Sequence, residues 1–385
     1  MHMNTITWLK KLIGFDTTSD LSNLSLINEI ADFLQQQKVE FFLDYNDMAN
    51  KANLFALFPA SDGARDGGII LSGHSDTVPV VKEQWTSDPF VAEERDNKIY
   101  GRGACDMKGF LAACLALVPS IKQQKLEKAI YFAFSYDEEV SCLGVPRLLS
   151  AIKQRHITPG YCIIGEPTLM KLVVAHKGHH SFRCQFRGIA AHSSVPHRGS
   201  NAIIYASYFI QELSRLAELF KCREHDPDFD VPFSTLNIGE IYGGTAVNIV
   251  PEQCEVKFDI RNIPQVTLAP IIKEIDAYLR LRIYKRMQAE NKNTGYVLTE
   301  ENMVPAMVAS KDPYLLNLMQ KLLADARPHK VAFATEGGHF SAAGIPTVVC
   351  GPGSIEQAHQ VDEYVELSQL KACDQFLADL LHSLT

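Results

Sequence analysis

Several short runs in this chain are apolar from end to end, and most of them stop on histidine, aspartate or glutamate. They are NLFALF (53–58), GIILSG (68–73), AIYFAFSY (129–136), YCIIGE (161–166) and PTVVCG (346–351). A strand with one wet face alternates polar and apolar residues. A run with no alternation has to be covered on both faces. Helical patterns at 24–37, 109–123 and 314–326 lie between these runs. Strands alternating with helices predict an α/β fold with a mostly parallel central sheet flanked by helices.

The middle of the chain reads differently. HHSFRCQFRG (179–188), STLNIGEI (234–241) and CEVKFDIRNI (254–263) alternate, and helical stretches at 200–220 and 268–288 separate and follow them. That pattern predicts an antiparallel sheet covered on one face. At 385 residues the chain exceeds one ordinary hydrophobic core. The expected division is a first domain of residues 1–177 and 291–385, interrupted by a smaller α+β domain at 178–290.

The formal charge of −8 argues against a nucleic-acid partner. No run approaches the ~20 apolar residues of a membrane span. The start, MHMNTITWLKKLIGF, lacks the apolar region and cleavage site of a signal peptide. Nine dispersed cysteines without a C-x-x-C pair read as reduced thiols. The expectation is a cytoplasmic protein.

The residues at the strand ends carry the chemistry. GIILSG runs into His74-Ser75-Asp76, AIYFAFSY into Asp137-Glu138-Glu139, YCII into Gly165-Glu166, and PTVVCGPGS reaches His359 after a short loop. Asp106 lies in a glycine-rich loop, YGRGACDMKGF, before a helix. Singly, each has a bland reading: Asp106 as a helix cap, Glu166-Pro167 as a turn, the histidines as hydrogen-bonded structural residues. Together they fall at matching ends of one predicted sheet, where α/β folds place their sites. No Lys or Arg run accompanies the carboxylates, so metal ions fit. Histidine and carboxylate without cysteine suit zinc, cobalt or manganese. His74, Asp106, Glu139, Glu166 and His359 can bind two ions with one carboxylate bridging. A carboxylate that is not a ligand is still needed to move the proton of the attacking water, and Glu138 is free for it. Asp76 can accept the other ring N–H of His74 and fix its tautomer.

The motifs LSGHSDTVP, GRGACDMKG, SYDEE, GEPT and GPG…AHQVDEY resemble the di-zinc amidohydrolases and peptidases, a family that includes desuccinylases, aminoacylases and zinc carboxypeptidases. The resemblance spans about residues 5 to 380. It implies a zinc-peptidase-like catalytic domain and a lid domain used for dimerisation. It also implies metal ligands at His74, Asp106 (the bridge), Glu139, Glu166 and His359, with Glu138 as the catalytic glutamate. His192, in AAHSSVPH, would reach the partner subunit's site and stabilise the oxyanion. Asn248, in GGTAVNIVP, and Arg261, in FDIRNIP, would hold the substrate carboxylate. AHKGHHSF, HSSVPHRGSNAI and VPFSTLNIGEIYGGTAVNIVP resemble the branch that deacetylates a small N-acetyl amino acid. The desuccinylase carries an Arg pair near His179-His180. This chain lacks it, which counts against that branch; the desuccinylase and broader N-acyl-amino-acid hydrolases are the alternatives. A regulatory protein keeping only the fold would be expected to have lost Glu138 or ligands. Glu336 could meet a substrate ammonium or be solvated. His339 reads as a packed residue, Cys105 as a packing residue, and Gly243-Gly244 as a tight turn.

Overall fold

The computed structural model describes residues 3–385. They form two compact units: a larger one up to Ala175 together with Met307–Lys330 and Thr335–Thr385, and a smaller one of His176–Ala306 with Val331–Ala334.

The larger unit is built on an eight-stranded sheet. Its strands are β1 (Glu40–Tyr45), β2 (Ala52–Phe58), β3 (Ile69–His74), β4 (Ile130–Ser135), β5 (Tyr161–Ile164), β6 (Val173–His176), β7 (His329–Val331) and β8 (Thr347–Val349). The spatial order is β1-β2-β4-β3-β5-β8-β6-β7. The central strands β4, β3, β5 and β8 run parallel. β2, β3 and β4 are buried at every residue, as their unbroken apolar sequence requires. The helix Gly109–Ile121 is apolar on nearly all sides and lies in the core beside Leu71, Phe132 and Leu377. The sequence suggested no stretch long enough for a membrane. By length and composition Ala104–Ile121 qualifies, but 78% of it is buried inside the fold, as befits a core helix. All nine cysteines are free, and only Cys222 is exposed. The strand β1, EFFLDY, escaped the sequence reading because an edge strand has no unbroken apolar run to announce it.

The smaller unit is an antiparallel four-stranded sheet in the order Thr235–Gly243, Gln253–Arg261, His179–Arg187, Gly295–Val304. Burial alternates residue by residue along His179–Arg187 and Gln253–Arg261. Their inward Phe182, Cys184, Phe186, Val256 and Phe258 pack with Phe209 and Leu213 of the helix Ala202–Phe220 and Ile271 and Ile275 of Leu268–Tyr278. Gly244, at φ +76°, turns the hairpin after Thr235–Gly243. The unit extends to Ala306, beyond the boundary at 290 drawn from sequence, because Gly295–Val304 pairs with His179–Arg187. That strand, GYVLTEENMV, is an exposed edge, and its charged TEEN stretch hides the strand pattern.

Candidate metal centre

The register of the parallel strands explains why distant polar residues meet. His74 lies opposite Ser135, and Ser72 opposite Ile164, so β3 and β4 end level and β5 ends two residues before them. The residues that follow therefore emerge at one edge of the sheet. Gly165 is required there: a Cβ would come within 2.0 Å of the Phe110 ring, which packs behind the turn carrying Glu166.

The structure brings His74, Asp106, Glu138, Glu139, Glu166 and His359 together. His74 Nε2 is 3.0 Å from Asp106 Oδ1 and 3.7 Å from Glu166 Oε1. His359 Nε2 is 2.9 Å from Glu139 Oε2 and 3.4 Å from Asp106 Oδ2. The two oxygens of Asp106 thus face two different histidines, the disposition of a bridging carboxylate. Ligand atoms of His74, Asp106 and Glu139 lie within 4.8 Å of one another, as do those of His74, Glu138 and Glu166. Glu138 therefore lies within reach of a metal as well as of a proton. Asp106 is not a helix cap: the following helix starts after Lys108 and has no side-chain cap.

The donor set fits divalent ions. Buried Glu139 Oε1 and Glu166 Oε1 have no hydrogen-bond partner among the described residues. Unpartnered buried carboxylate oxygens are costly unless a cation meets them. Burial, then the charges of Asp106 and Glu138, push Glu166 well above its ordinary value. Burial also lifts Glu138 well above its ordinary value, with Glu139 and Asp106 adding to the effect against the opposing pull of His74. Burial alone would raise Asp106, but hydrogen bonds from His359 and His74 outweigh it and lower the carboxyl. Hydrogen bonds to Asp106 and Glu139 raise His359 to about 10.

The other acidic residues have distinct partners. Asp137, first of the three consecutive carboxylates, is held by Lys51 Nζ at 2.5 Å, with both side chains nearly buried. Sequence reading found no cation for this group because Lys51 lies 86 residues away. Asp76 meets the second ring nitrogen of His74: Nδ1 is 3.0 Å from the Asp76 backbone carbonyl and 3.6 Å from its carboxylate. The Asp76 carboxylate also accepts the amides of Glu138 (3.1 Å) and Glu139 (3.3 Å) and the Ser19 hydroxyl (2.7 Å). It orients the strand-end turn. Glu336 is neither solvated nor open to a ligand: it is buried and accepts Ser72 Oγ at 3.1 Å and Ser135 Oγ. His339 is partly buried, and burial lowers it to about 4. Burial pushes the Cys105 thiol well up, which suits packing and not nucleophilic attack.

In the smaller unit, His192 is exposed and its Nδ1 is 2.7 Å from Ser194 Oγ. It pairs with Ile249 in a short ribbon, and the Ser193 amide donates to the Asn248 carbonyl, so His192 and Asn248 are neighbours. They sit at the loop end of the hairpin formed by Thr235–Gly243 and Gln253–Arg261. Arg261 stands at the open end, its Nε 3.4 Å from Asp259. Eight residue steps at about 3.3 Å each put roughly 26 Å between the two ends of the strand.

Clustered histidines and carboxylates at the carboxyl edge of a parallel sheet, with unpartnered buried oxygens, define a metal-dependent hydrolase. Residues 70–383 match peptidase family M20/M25/M40, and the chain belongs to that family. It is 35% identical over 370 residues, 95% of this chain and 92% of the relative, to the acetylornithine deacetylase of Pectobacterium carotovorum. Its fold is similar to that of aminopeptidase PepT from Bacillus cereus, at TM-score 0.77 and 20% identity over 99% of this chain and 98% of that one. It is also similar to the YXEP protein of Bacillus subtilis, a dinuclear metal-binding peptidase, at TM-score 0.67 and 15% identity over 99% and 97%.

Proposed function

We propose that this enzyme hydrolyses N-acetyl-L-ornithine to L-ornithine and acetate, a step of arginine biosynthesis, in the cytoplasm. The observation that carries the reading is the convergence of Glu138 with two groups of ligand-type side chains, in a chain whose relatives over nearly its whole length are acetylornithine deacetylases. The dispersed free cysteines support a reducing compartment.

His74, Asp106, Glu139, Glu166 and His359 would hold two ions, zinc by ligand chemistry with cobalt as a substitute. Bound there, they would polarise the amide carbonyl and acidify water. Glu138 takes the proton of the attacking water on its carboxylate and delivers it to the departing amine nitrogen. Asp76 keeps Glu138 and Glu139 in place through their amides. The motif resemblance assigns the oxyanion to His192 and the substrate carboxylate to Asn248 and Arg261. One subunit cannot bring both ends of its hairpin to one small substrate across roughly 26 Å. A homodimer, in which His192 and Asn248 serve the partner's site, resolves this. Val247, fully exposed, with Ile241, Tyr242, Ile249, Ile203 and Ile204 gives the smaller unit the apolar surface for such a contact.

The test is hydrolysis of N-acetyl-L-ornithine, followed by release of the free amine, for the metal-loaded, chelated and Glu138→Gln proteins. N-acetyl-methionine and N-succinyl-diaminopimelate run in parallel. A preference for either over acetyl-ornithine would overturn the substrate assignment while leaving the hydrolase.

A further inference from the structure

One buried carboxylate belongs to none of the roles above. Glu363 is 1% exposed and accepts four hydrogen bonds. Its Oε1 takes the amides of Cys105 (2.8 Å) and Asp106 (3.0 Å), and its Oε2 takes the amide of Gly103 and Nη1 of Arg102, both at 2.8 Å. Its backbone carbonyl takes a fifth, from Gly101 N at 3.0 Å. Every donor belongs to residues 101–106, the loop that carries Asp106. Arg102, also buried, lies over the Trp85 ring at 5.0 Å, so the charge pair is walled on that side.

We infer that Glu363 is a positioning residue that sets the Asp106 carboxylate between the two metal positions. Asp106 has non-helical backbone angles, φ −120° and ψ 94°, immediately before a helix, so the helical hydrogen-bond ladder does not hold it. Glu363 supplies the missing partners for its amide and for two amides just before it. Glu363 also lies four residues after His359, whose Nε2 meets the other oxygen of Asp106. Its neighbour Tyr364 opens a short strand paired with Lys98–Tyr100. One side chain therefore ties the loop of the proposed bridging ligand to the segment that carries a terminal ligand. A carboxylate fits the post because three amides and a guanidinium all donate, and a neutral amide side chain would present two N–H groups to those donors.

The inference rests on Asp106 being a ligand, and the test separates the two claims. Zinc affinity and stoichiometry are measured on full-length, metal-stripped wild type, Glu363→Gln and Asp106→Asn by competition with a chromophoric chelator. Circular dichroism of each metal-free protein reports folding, which a merely structural role would disturb without changing the zinc affinity of folded protein. Glu363→Gln is expected to fold and to bind at least one of two zinc ions 10- to 100-fold more weakly, in the usual range for outer partners of metal ligands. Asp106→Asn is expected to lose at least as much. Wild-type affinity in Glu363→Gln beside weakened binding in Asp106→Asn would overturn the positioning role alone. Wild-type affinity in both would overturn Asp106 as a ligand, and the inference with it. Should Glu363→Gln not fold, Glu363→Asp, which keeps the charge but withdraws it by one methylene, is read by the same criteria.

Discussion

Glu336 offers a sharp test of how this fold treats a charge it has no cation for. Its side chain is fully buried, its two hydrogen-bond donors are the neutral hydroxyls of Ser72 and Ser135, and no Lys or Arg pairs with it among the described residues. Burial lifts it from 4.5 to about 7, against the smaller opposing pulls of Ser135, His74 and Ser72. At about 1.36 kcal/mol per pH unit, that displacement corresponds to roughly 3 kcal/mol between the protonation states. The sign follows from proton counting. Between pH 4.5 and about 7 the native protein holds a proton on Glu336 that the unfolded chain has released. Stability therefore falls as pH rises through this window, and the whole penalty is present above it. Glu336→Gln removes the ionisation and keeps the size. Urea unfolding of metal-stripped wild type and variant at pH 5 and pH 8 isolates this effect, because other titrations cancel in the difference. The variant should gain on wild type by about 2.5 kcal/mol between the two pH values, since pH 5 lies half a unit inside the window, whatever their offset at pH 5. An equal difference at both would refute the reasoning and mean that Glu336 is ionised throughout, with a compensating charge.

Other substitutions read other parts of the argument. Glu138→Gln should lower kcat by about 10²- to 10⁴-fold while metal content stays at wild type, which elemental analysis checks. Lys51→Met strands the buried Asp137 charge and should cost about 3–5 kcal/mol in chemical unfolding. Asp76→Asn sets an amide N–H against backbone amides of the strand-end turn and should cost about 1–3 kcal/mol, with reduced kcat measured on folded protein. If sites are shared across a dimer, unfolding and refolding inactive His192→Ala and Arg261→Ala together in equal amounts should restore about a quarter of wild-type activity. Heterodimers then carry one site with both defects and one with neither. No recovery in mixed dimers would place both residues in the same subunit's site.

How much of this protein could be read from its residues depends on how local the cause is. Burial on two faces is written into each strand, so NLFALF, GIILSG and AIYFAFSY announce the central sheet, and the polar residues ending the last two announce its working edge. The half-buried sheet of the smaller unit was legible for the same reason in HHSFRCQFRG and CEVKFDIRNI, whose alternation is the burial pattern itself. Two edge strands were not: EFFLDY and GYVLTEENMV lie where solvent tolerates charge, so their composition carries little constraint. Residue types at the strand ends suggested a two-metal centre before any distance was known. Only the tertiary structure decided which partner each one has. Lys51 neutralises Asp137 across 86 residues, Glu363 holds the Asp106 loop from 257 residues away, and Glu336 meets Ser135 across 201. A hydrogen bond records the final positions of two groups and nothing about the chain between them. Sequence periodicity determines which face of an element is buried, but the register of the assembled sheet determines which side chains arrive together.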